Sequence, residues 1–127
     1  MTEIKKNIAV LGCGYWGKNL IRNFAEIGAL VAVSDPDEQA AQKFASTYDV
    51  PTLSVDEIMA APEIEGVVIA APARLHFELG KRALESGKHV FVEKPLSLSV
   101  ADGEKLCALA DEKNKVLMVG HLSLIHI

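Results

Sequence analysis

Short runs of apolar, often β-branched residues alternate along this chain with longer stretches in which apolar residues recur every three or four positions. The short runs predict buried β-strands, and the longer stretches predict amphipathic helices. Their alternation is typical of βαβ units, which form a parallel sheet with helices packed against it. The sequence therefore predicts an α/β fold with a doubly wound parallel sheet, whose six strands are residues 7–11, 30–33, 50–53, 66–71, 89–92 and 116–119.

Local signals predict where several helices begin and end. Gly28 should end the first helix, because glycine readily adopts a left-handed conformation. Asp35 and Pro36 predict an N-cap followed by the first residue of the second helix. Ser54 and Glu57 have the spacing of a capping box. Later helices are predicted over residues 75–86 and 99–113, and the apolar face of the first helix should comprise Leu20, Ile21, Phe24 and Ile27.

Length and composition limit the classes of function. The chain has 127 residues, 50% hydrophobic and 24% charged, as expected of one globular domain. Its net charge of −4 gives no support to nucleic-acid binding, which needs a basic face. No apolar run approaches the roughly 18 residues of a membrane span, and the first residues do not resemble a signal peptide. Cys13 and Cys107 are too few for a disulfide framework or a cysteine-rich zinc site, so we expect a cytoplasmic protein with no metal, no nucleic-acid partner and no membrane contact.

A glycine-rich turn at residues 12–17, with the sequence GCGYWG, follows the first predicted strand and opens the first helix. Gly12 would permit a tight turn, Gly14 would let a pyrophosphate approach the backbone, and Gly17 would allow the helix to pack closely. The N-terminus of the helix would offer amide groups to the phosphates. This context predicts a Rossmann-type dinucleotide-binding turn, and the alternative is a glycine turn that binds no ligand.

The other side chains of the turn are less informative. Tyr15 and Trp16 are predicted to contact the cofactor, although packing on the edge of the sheet is an alternative. Cys13 is expected to be a small packed residue, because no general base is adjacent in sequence to activate a thiolate.

Asp35 ends the second predicted strand, 18 residues after Gly17. A carboxylate at this position can accept hydrogen bonds from both ribose hydroxyls of an adenosine. A 2′-phosphate would instead be repelled, by about 3 kcal/mol per unit charge at roughly 5 Å and an effective dielectric of about 20. Residues 36–38, Pro-Asp-Glu, contain no arginine that would compensate. NAD is therefore the predicted cofactor rather than NADP, and capping the second helix is another role, compatible with the first, for the same carboxylate.

Glu93, Lys94 and Pro95 follow directly after the predicted strand at residues 89–92. Ligands of open α/β sheets bind beyond the carboxyl ends of the strands. The ammonium group of Lys94 resists burial, so a packing role is unusual there, and it could hold a substrate hydroxyl and help to move a proton. A solvated lysine in a turn is the alternative.

Together these motifs resemble the N-terminal domain of the Gfo/Idh/MocA oxidoreductases over residues 7–121. That family includes glucose–fructose oxidoreductase and inositol dehydrogenase. Residues 14–19, Gly-Tyr-Trp-Gly-Lys-Asn, further resemble the branch that acts on nucleotide sugars, such as the UDP-N-acetylglucosaminuronate 3-dehydrogenases. The resemblance is carried by the glycine turn, Ala71-Pro72 with His76, Gly87-Lys88-His89-Val90 and Glu93-Lys94-Pro95.

The resemblance implies a role for each matching residue. Glu93 should lie beside the nicotinamide ribose, and Lys94 should be the catalytic residue beside the substrate hydroxyl. His76 is expected to be structural, and His121 should border the site. The family also has an Asp-x-x-x-His pair in a second domain, which this sequence lacks. The implied cofactor-binding residues are Gly12, Gly14, Gly17, Asp35 and Pro72.

Residues 122–127 match an in-frame translation of the transposase mosaic-end adapter used in sequencing libraries. We expect them to be an adapter scar on a truncated gene. The alternative is genuine sequence, since a similar pattern of leucine and histidine can follow this glycine in the family. On the first interpretation, residues 1–121 form the dinucleotide-binding domain and the substrate domain is absent.

These observations predict the NAD-binding domain of an oxidoreductase that transfers hydride between NAD and a hydroxyl of a sugar or nucleotide sugar. We expect the 127-residue chain to be inactive alone and the full-length protein to be a homo-oligomer. One alternative is a stand-alone nucleotide-binding regulatory module. Another is a Rossmann protein without redox activity, such as a methyltransferase, which the Glu-Lys-Pro turn disfavours.

Overall fold

The computed structural model describes residues 6–93 and 97–120, and of Tyr15 and Trp16 it describes the backbone only. No helix in these two ranges is long and apolar enough to cross a membrane. The strands are β1 (Ile8–Leu11), β2 (Leu30–Ser34), β3 (Gly66–Ile69), β4 (His89–Glu93) and β5 (Leu117–Gly120). The helices are α1 (Tyr15–Glu26), α2 (Glu38–Tyr48), α3 (Val55–Ala60), α4 (His76–Glu85) and α5 (Val100–Lys113), and a 3₁₀ turn at Ala73–Leu75 precedes α4.

The strands form one parallel sheet in the order β2-β1-β3-β4-β5, which confirms the predicted fold class. The prediction of a strand over residues 50–53 is wrong, since a single parallel bridge joins Thr52 to Val33 there. Pro51 has no N–H to donate to a ladder, and the segment is confined between a left-handed Asp49 and the helix cap at Ser54. If the segment at Thr52 is counted as a third strand and the later strands are renumbered, the strand order becomes 3-2-1-4-5-6. This is the order of the Rossmann dinucleotide-binding fold.

Helices cover both faces of the sheet and build two cores. On one face, α1 and α2 pack against Val10, Val33 and Val68. On the other face, α3, α4 and α5 pack against Leu11, Ile69 and their neighbours. The central strand β3 is buried along its whole length, as its continuous apolar run predicts.

Most predicted helix ends agree with the structure. Gly28 follows α1 with φ +78°, and Ser54 and Glu57 form the predicted capping box. Ile27 does not belong to the apolar face of α1, because it lies just beyond the helix and is 54% exposed. The prediction that Asp35 caps α2 is also wrong: the N-cap is Asp37, whose Oδ1 accepts hydrogen bonds from two amides of the first turn.

Candidate functional site

A cavity of about 590 Å³ lies where β1, β2 and β3 end. From β1 the sheet continues to β2 on one side and to β3 on the other, and ligands of open α/β sheets bind at such a switch point. Four of the predicted site residues line the cavity: Gly12, Gly14, Asp35 and Pro72.

Two glycines of the turn are required by the protein's own packing. Gly12 has φ +107°, and a Cβ atom there would lie 2.8 Å from the carbonyl oxygen of Ala70. A Cβ atom on Gly17 would overlap the carbonyl group of Gly12. The third glycine therefore lets α1 begin close against the turn itself, and Gly17 does not line the cavity.

Gly14 differs from both of them. Its φ of −75° suits any residue, and a Cβ atom built there would have no described atom within 4 Å apart from those of its two chain neighbours. Neither strain nor packing explains the glycine, and the space beside its backbone opens into the cavity. The space is therefore open, as expected of a turn that a pyrophosphate approaches at the N-terminus of α1.

Asp35 is half-buried and bridges two loops at this edge of the sheet. Its Oδ2 accepts a hydrogen bond of 2.7 Å from the backbone N–H of Cys13, and its Oδ1 accepts one of 2.8 Å from that of Asp37. Each carboxylate oxygen can accept a further hydrogen bond. The carboxylate can therefore hold both loops and still accept hydrogen bonds from the hydroxyl groups of a ligand.

Cys13 is packed beneath the turn and is only 7% exposed. Burial raises the pKa of its thiol to about 11, and the nearby carboxylates of Asp35 and Asp37 add to the effect. At neutral pH the thiol keeps its proton and is a poor nucleophile. The predicted packing role fits this environment.

The loop after β3 forms another wall of the cavity. His76 is buried in the first turn of α4, and its Nε2 lies 2.7 Å from the carbonyl oxygen of Ala71. This hydrogen bond fixes the backbone next to Pro72, which agrees with the structural role predicted for the histidine.

Val55, Leu75 and Leu79 form an apolar wall of the cavity that the sequence analysis did not identify. Leu75 and Leu79 are four residues apart at the start of α4, so they share a face of the helix. That spacing, directly after a strand that ends at the site, is the signal that could have identified them.

The remaining predicted residues are less fully placed. Glu93 ends β4 at the same edge of the sheet and is buried, but it does not line the cavity. Lys94, His121 and the tail at residues 122–127 lie outside the described residues, as do the side chains of Tyr15 and Trp16.

A second cavity, of about 710 Å³, shares four lining residues with the first: Ser34, Asp35, Pro36 and Val55. It lies between α2 and α3 and is lined in part by Glu38 and Glu57. Among the described residues, neither cavity is lined by Lys, Arg or His. The side chains that line the two cavities thus include carboxylates and, within residues 6–93 and 97–120, no cationic group.

Comparison with known proteins agrees with this geometry. The chain is 30% identical to the UDP-N-acetylglucosamine 3-dehydrogenase of Acidithiobacillus ferrooxidans, over 97% of this chain and 39% of that protein. A solved structure of that enzyme has a TM-score of 0.89 and is covered to 41%, against 98% of this chain. The chain is also 35% identical to the scyllo-inositol 2-dehydrogenase (NAD(+)) of Bacillus subtilis, over 94% of this chain and 36% of that protein.

A third similar protein is the biliverdin reductase of Synechocystis sp. PCC 6803, solved with biliverdin and NADP+. It is 36% identical, with a TM-score of 0.87 and coverage of 94% of this chain and 39% of that one. The chain thus spans about two fifths of the length of these relatives. The sequence model for the oxidoreductase family with an NAD-binding Rossmann fold matches residues 6–121. Because that match takes in nearly the whole chain, the chain belongs to the Gfo/Idh/MocA oxidoreductase family.

Proposed function

We propose that this chain is the NAD-binding part of a dehydrogenase that oxidises a hydroxyl group of a sugar or nucleotide sugar. The observation that carries the proposal is the open space beside Gly14, in a cavity that Asp35 also lines. The substrate class is supported by two relatives, whose names specify a UDP-linked sugar and an inositol, both polyhydroxylated rings.

The cofactor is held by groups at the carboxyl edge of the sheet. The amides at the start of α1 face the pyrophosphate, which lies against Gly14, while Gly12 and Gly17 allow the turn to form. Asp35 accepts hydrogen bonds from the adenosine ribose, and Pro72 borders the cofactor. Contact of Tyr15 and Trp16 with the cofactor stays a prediction from the sequence.

NAD is bound in preference to NADP. A 2′-phosphate near Asp35 meets carboxylates and, among the described residues, no Lys, Arg or His in either adjoining cavity. Repulsion of about 3 kcal/mol corresponds to an affinity ratio of about 100. Calorimetric titration of the chain with NAD and with NADP measures this ratio, and equal affinities would contradict the role of Asp35.

Lys94 is the catalytic residue, and Glu93 lies beside the nicotinamide ribose. Lys94 directly follows the last residue of β4, whose carboxyl end is at the same edge as the cavity. It orients the substrate hydroxyl and helps to remove its proton, together with the histidine that the family places in a second domain. When bound, NAD supplies the acceptor for the hydride that leaves the carbinol carbon.

The product of the whole gene that contains this sequence tests the activity. It is assayed with NAD and a panel of sugars, inositols and UDP-sugars, by the absorbance of reduced nicotinamide. Lys94→Met should lower kcat by about 10²–10⁴ with little change in NAD affinity, and Lys94→Arg should separate the need for charge from the need to transfer a proton. Full activity of Lys94→Met would contradict the assignment.

The 127 residues alone should bind NAD without turnover. Among the described residues, no Lys, Arg or His lines the cavity beside Gly14 as a second proton-transfer group, and we expect the orientation of the substrate, worth roughly 7–11 kcal/mol, to need more than these residues. The same assay on the isolated chain measures this. Clear substrate-dependent turnover would instead favour a compact enzyme.

A further inference from the structure

Asp35 occupies the position where the backbone pairing of β1 with β2 ends. Gly12 donates the last hydrogen bond of this pairing, 2.7 Å long, to the carbonyl oxygen of Ser34. The next amide along the turn, that of Cys13, donates instead to the Asp35 carboxylate. The side chain thus continues a ladder that the backbone cannot extend, because the chain turns toward α1.

The second carboxylate oxygen fixes the other loop. Oδ1 accepts from the N–H of Asp37, two residues along the chain, and so sets the course of the loop between β2 and α2. One charged group therefore joins the glycine turn to the loop after β2 by two charge-assisted hydrogen bonds, a class that is shorter and stronger than its neutral counterpart.

From these contacts we infer that Asp35 is a positioning residue for the glycine turn, which holds the phosphate-binding backbone in place before any ribose is bound. The inference rests on the proposed function, because the turn matters only if it receives a pyrophosphate. The inference further predicts that Asp35 affects the binding of a ligand that has a pyrophosphate group but no ribose.

Asparagine tests this because it has the same shape as aspartate and one acceptor oxygen in place of two. Both partners of Asp35 are N–H donors, so the NH₂ group of the substituted asparagine would have to face one of them. Removing the negative charge should by itself favour an anion nearby. Positioning and simple electrostatics therefore predict opposite changes in anion affinity for Asp35→Asn.

The experiment titrates the ¹⁵N-labelled 127-residue chain with inorganic pyrophosphate and follows the backbone amides by NMR. Asp35→Asn should weaken pyrophosphate binding by about tenfold and move the Cys13 amide proton upfield. Asp37→Asn is the matched control: it removes the same charge two residues away, and asparagine caps helices as well as aspartate. This control should bind pyrophosphate as tightly as the original chain or more tightly.

Unchanged or tighter binding by Asp35→Asn, with an unmoved Cys13 amide, would overturn the inference. Hydrogen exchange of the original chain is a second test that does not require a folded variant. The Cys13 amide should be protected, and exchange at the rate of an unstructured peptide would overturn the inference. If pyrophosphate shifts no backbone amide signal of the original chain, the proposed cofactor site is wrong. Hydrogen exchange still tests the hydrogen bond between the Cys13 amide and Asp35.

Discussion

Charged side chains at the two edges of the sheet differ in their exposure to a ligand. At the amino edge, Lys88 is 3% exposed, and its Nζ donates hydrogen bonds of 2.7 Å to the carbonyl oxygens of Ala61 and Ile64. At the carboxyl edge, Asp35 is also held by backbone groups, but it borders two open cavities. The charge at the amino edge is enclosed by the loops that it joins, whereas the charge at the carboxyl edge remains accessible to a ligand.

Lys88 and Gly14 illustrate the difference between a residue that the fold requires and one that it does not. Lys88 holds the segment between α3 and β3, and it lines neither of the two cavities beside Asp35. Gly14 has no role in packing, yet it lies in a cavity wall. A residue that the fold does not explain, at the edge where ligands bind, is therefore the better indicator of function.

The largest effect is expected from Gly17→Ala. Its new methyl group would overlap the backbone of Gly12, so the free energy of unfolding should fall by about 3 kcal/mol. Gly14→Ala is the matched control in the same turn, and its cost should stay below about 1 kcal/mol. Urea unfolding measures both variants, and equal losses would contradict the distinction between the two glycines.

Gly14→Val tests the carboxyl edge directly. The branched side chain fills the open space beside the turn, so the NAD affinity should fall at least about 100-fold, or about 2.7 kcal/mol. The protein should stay folded, because no described atom outside the two chain neighbours lies within 4 Å of the added Cβ. Calorimetry on a variant with an unchanged circular dichroism spectrum checks this. An undiminished NAD affinity would contradict the proposal that the pyrophosphate binds at this turn.

Lys88→Met tests the amino edge. Two buried carbonyl groups lose their donor, and the relief of a buried charge offsets part of that cost. We expect a loss of about 2 kcal/mol in the free energy of unfolding, with unchanged NAD affinity. Lys81→Met, at an exposed position on α4, is the control and should change little. If Lys88→Met weakened NAD binding in a folded protein, the two edges would not be independent.

The pH dependence of stability should differ between the edges. The thiol of Cys13 keeps its proton to a pKa of about 11 in the folded state, against an ordinary value of 9.0. The folded state thus binds more protons between these values, and the Cys13 contribution to stability falls by about 1 kcal/mol per pH unit as pH rises. Cys13→Ala should remove this part of the slope, as urea unfolding between pH 8 and about 11 would show.

Lys88 contributes the opposite slope. Burial lowers the pKa of its ammonium group from 10.5, although the charge of Glu63 partly opposes the effect. Just below 10.5 the unfolded state therefore binds more protons, and this contribution to stability rises with pH. Lys88→Met should make the alkaline loss of stability steeper, and a shallower loss would contradict the sign.

Local patterns predicted the sheet, the helices and the glycine turn, because each depends on residues close together in sequence. The failures had different causes, one a contact between distant residues and the other a proline within the segment. Asp35 was predicted to cap α2, but its carboxylate bonds the amide of Cys13, 22 positions away, and Asp37 takes the cap. The segment at residues 50–53 has a strand-like pattern, but Pro51 limits it to one bridge.

The candidate site was predictable only in part. The glycine motif and Asp35 were identified from their spacing. The apolar wall formed by Leu75 and Leu79 depends on how α4 packs after β3, and the burial of Lys88 depends on two carbonyls more than 20 residues away in sequence. The spacing of Leu75 and Leu79 places them on one face but does not show what that face borders, and the burial of Lys88 has no local sequence signal.

NMR mapping decides whether NAD binds at the carboxyl edge of the sheet and not at the amino edge. NAD is titrated into the ¹⁵N-labelled 127-residue chain, and the change in every backbone amide signal is recorded. The largest changes are expected at residues 12–17, around Asp35 and in the Ala71–Pro72 loop, with none at Lys88 or Glu65. Changes centred on the amino edge, or no changes at saturating NAD, would contradict NAD binding at the carboxyl edge.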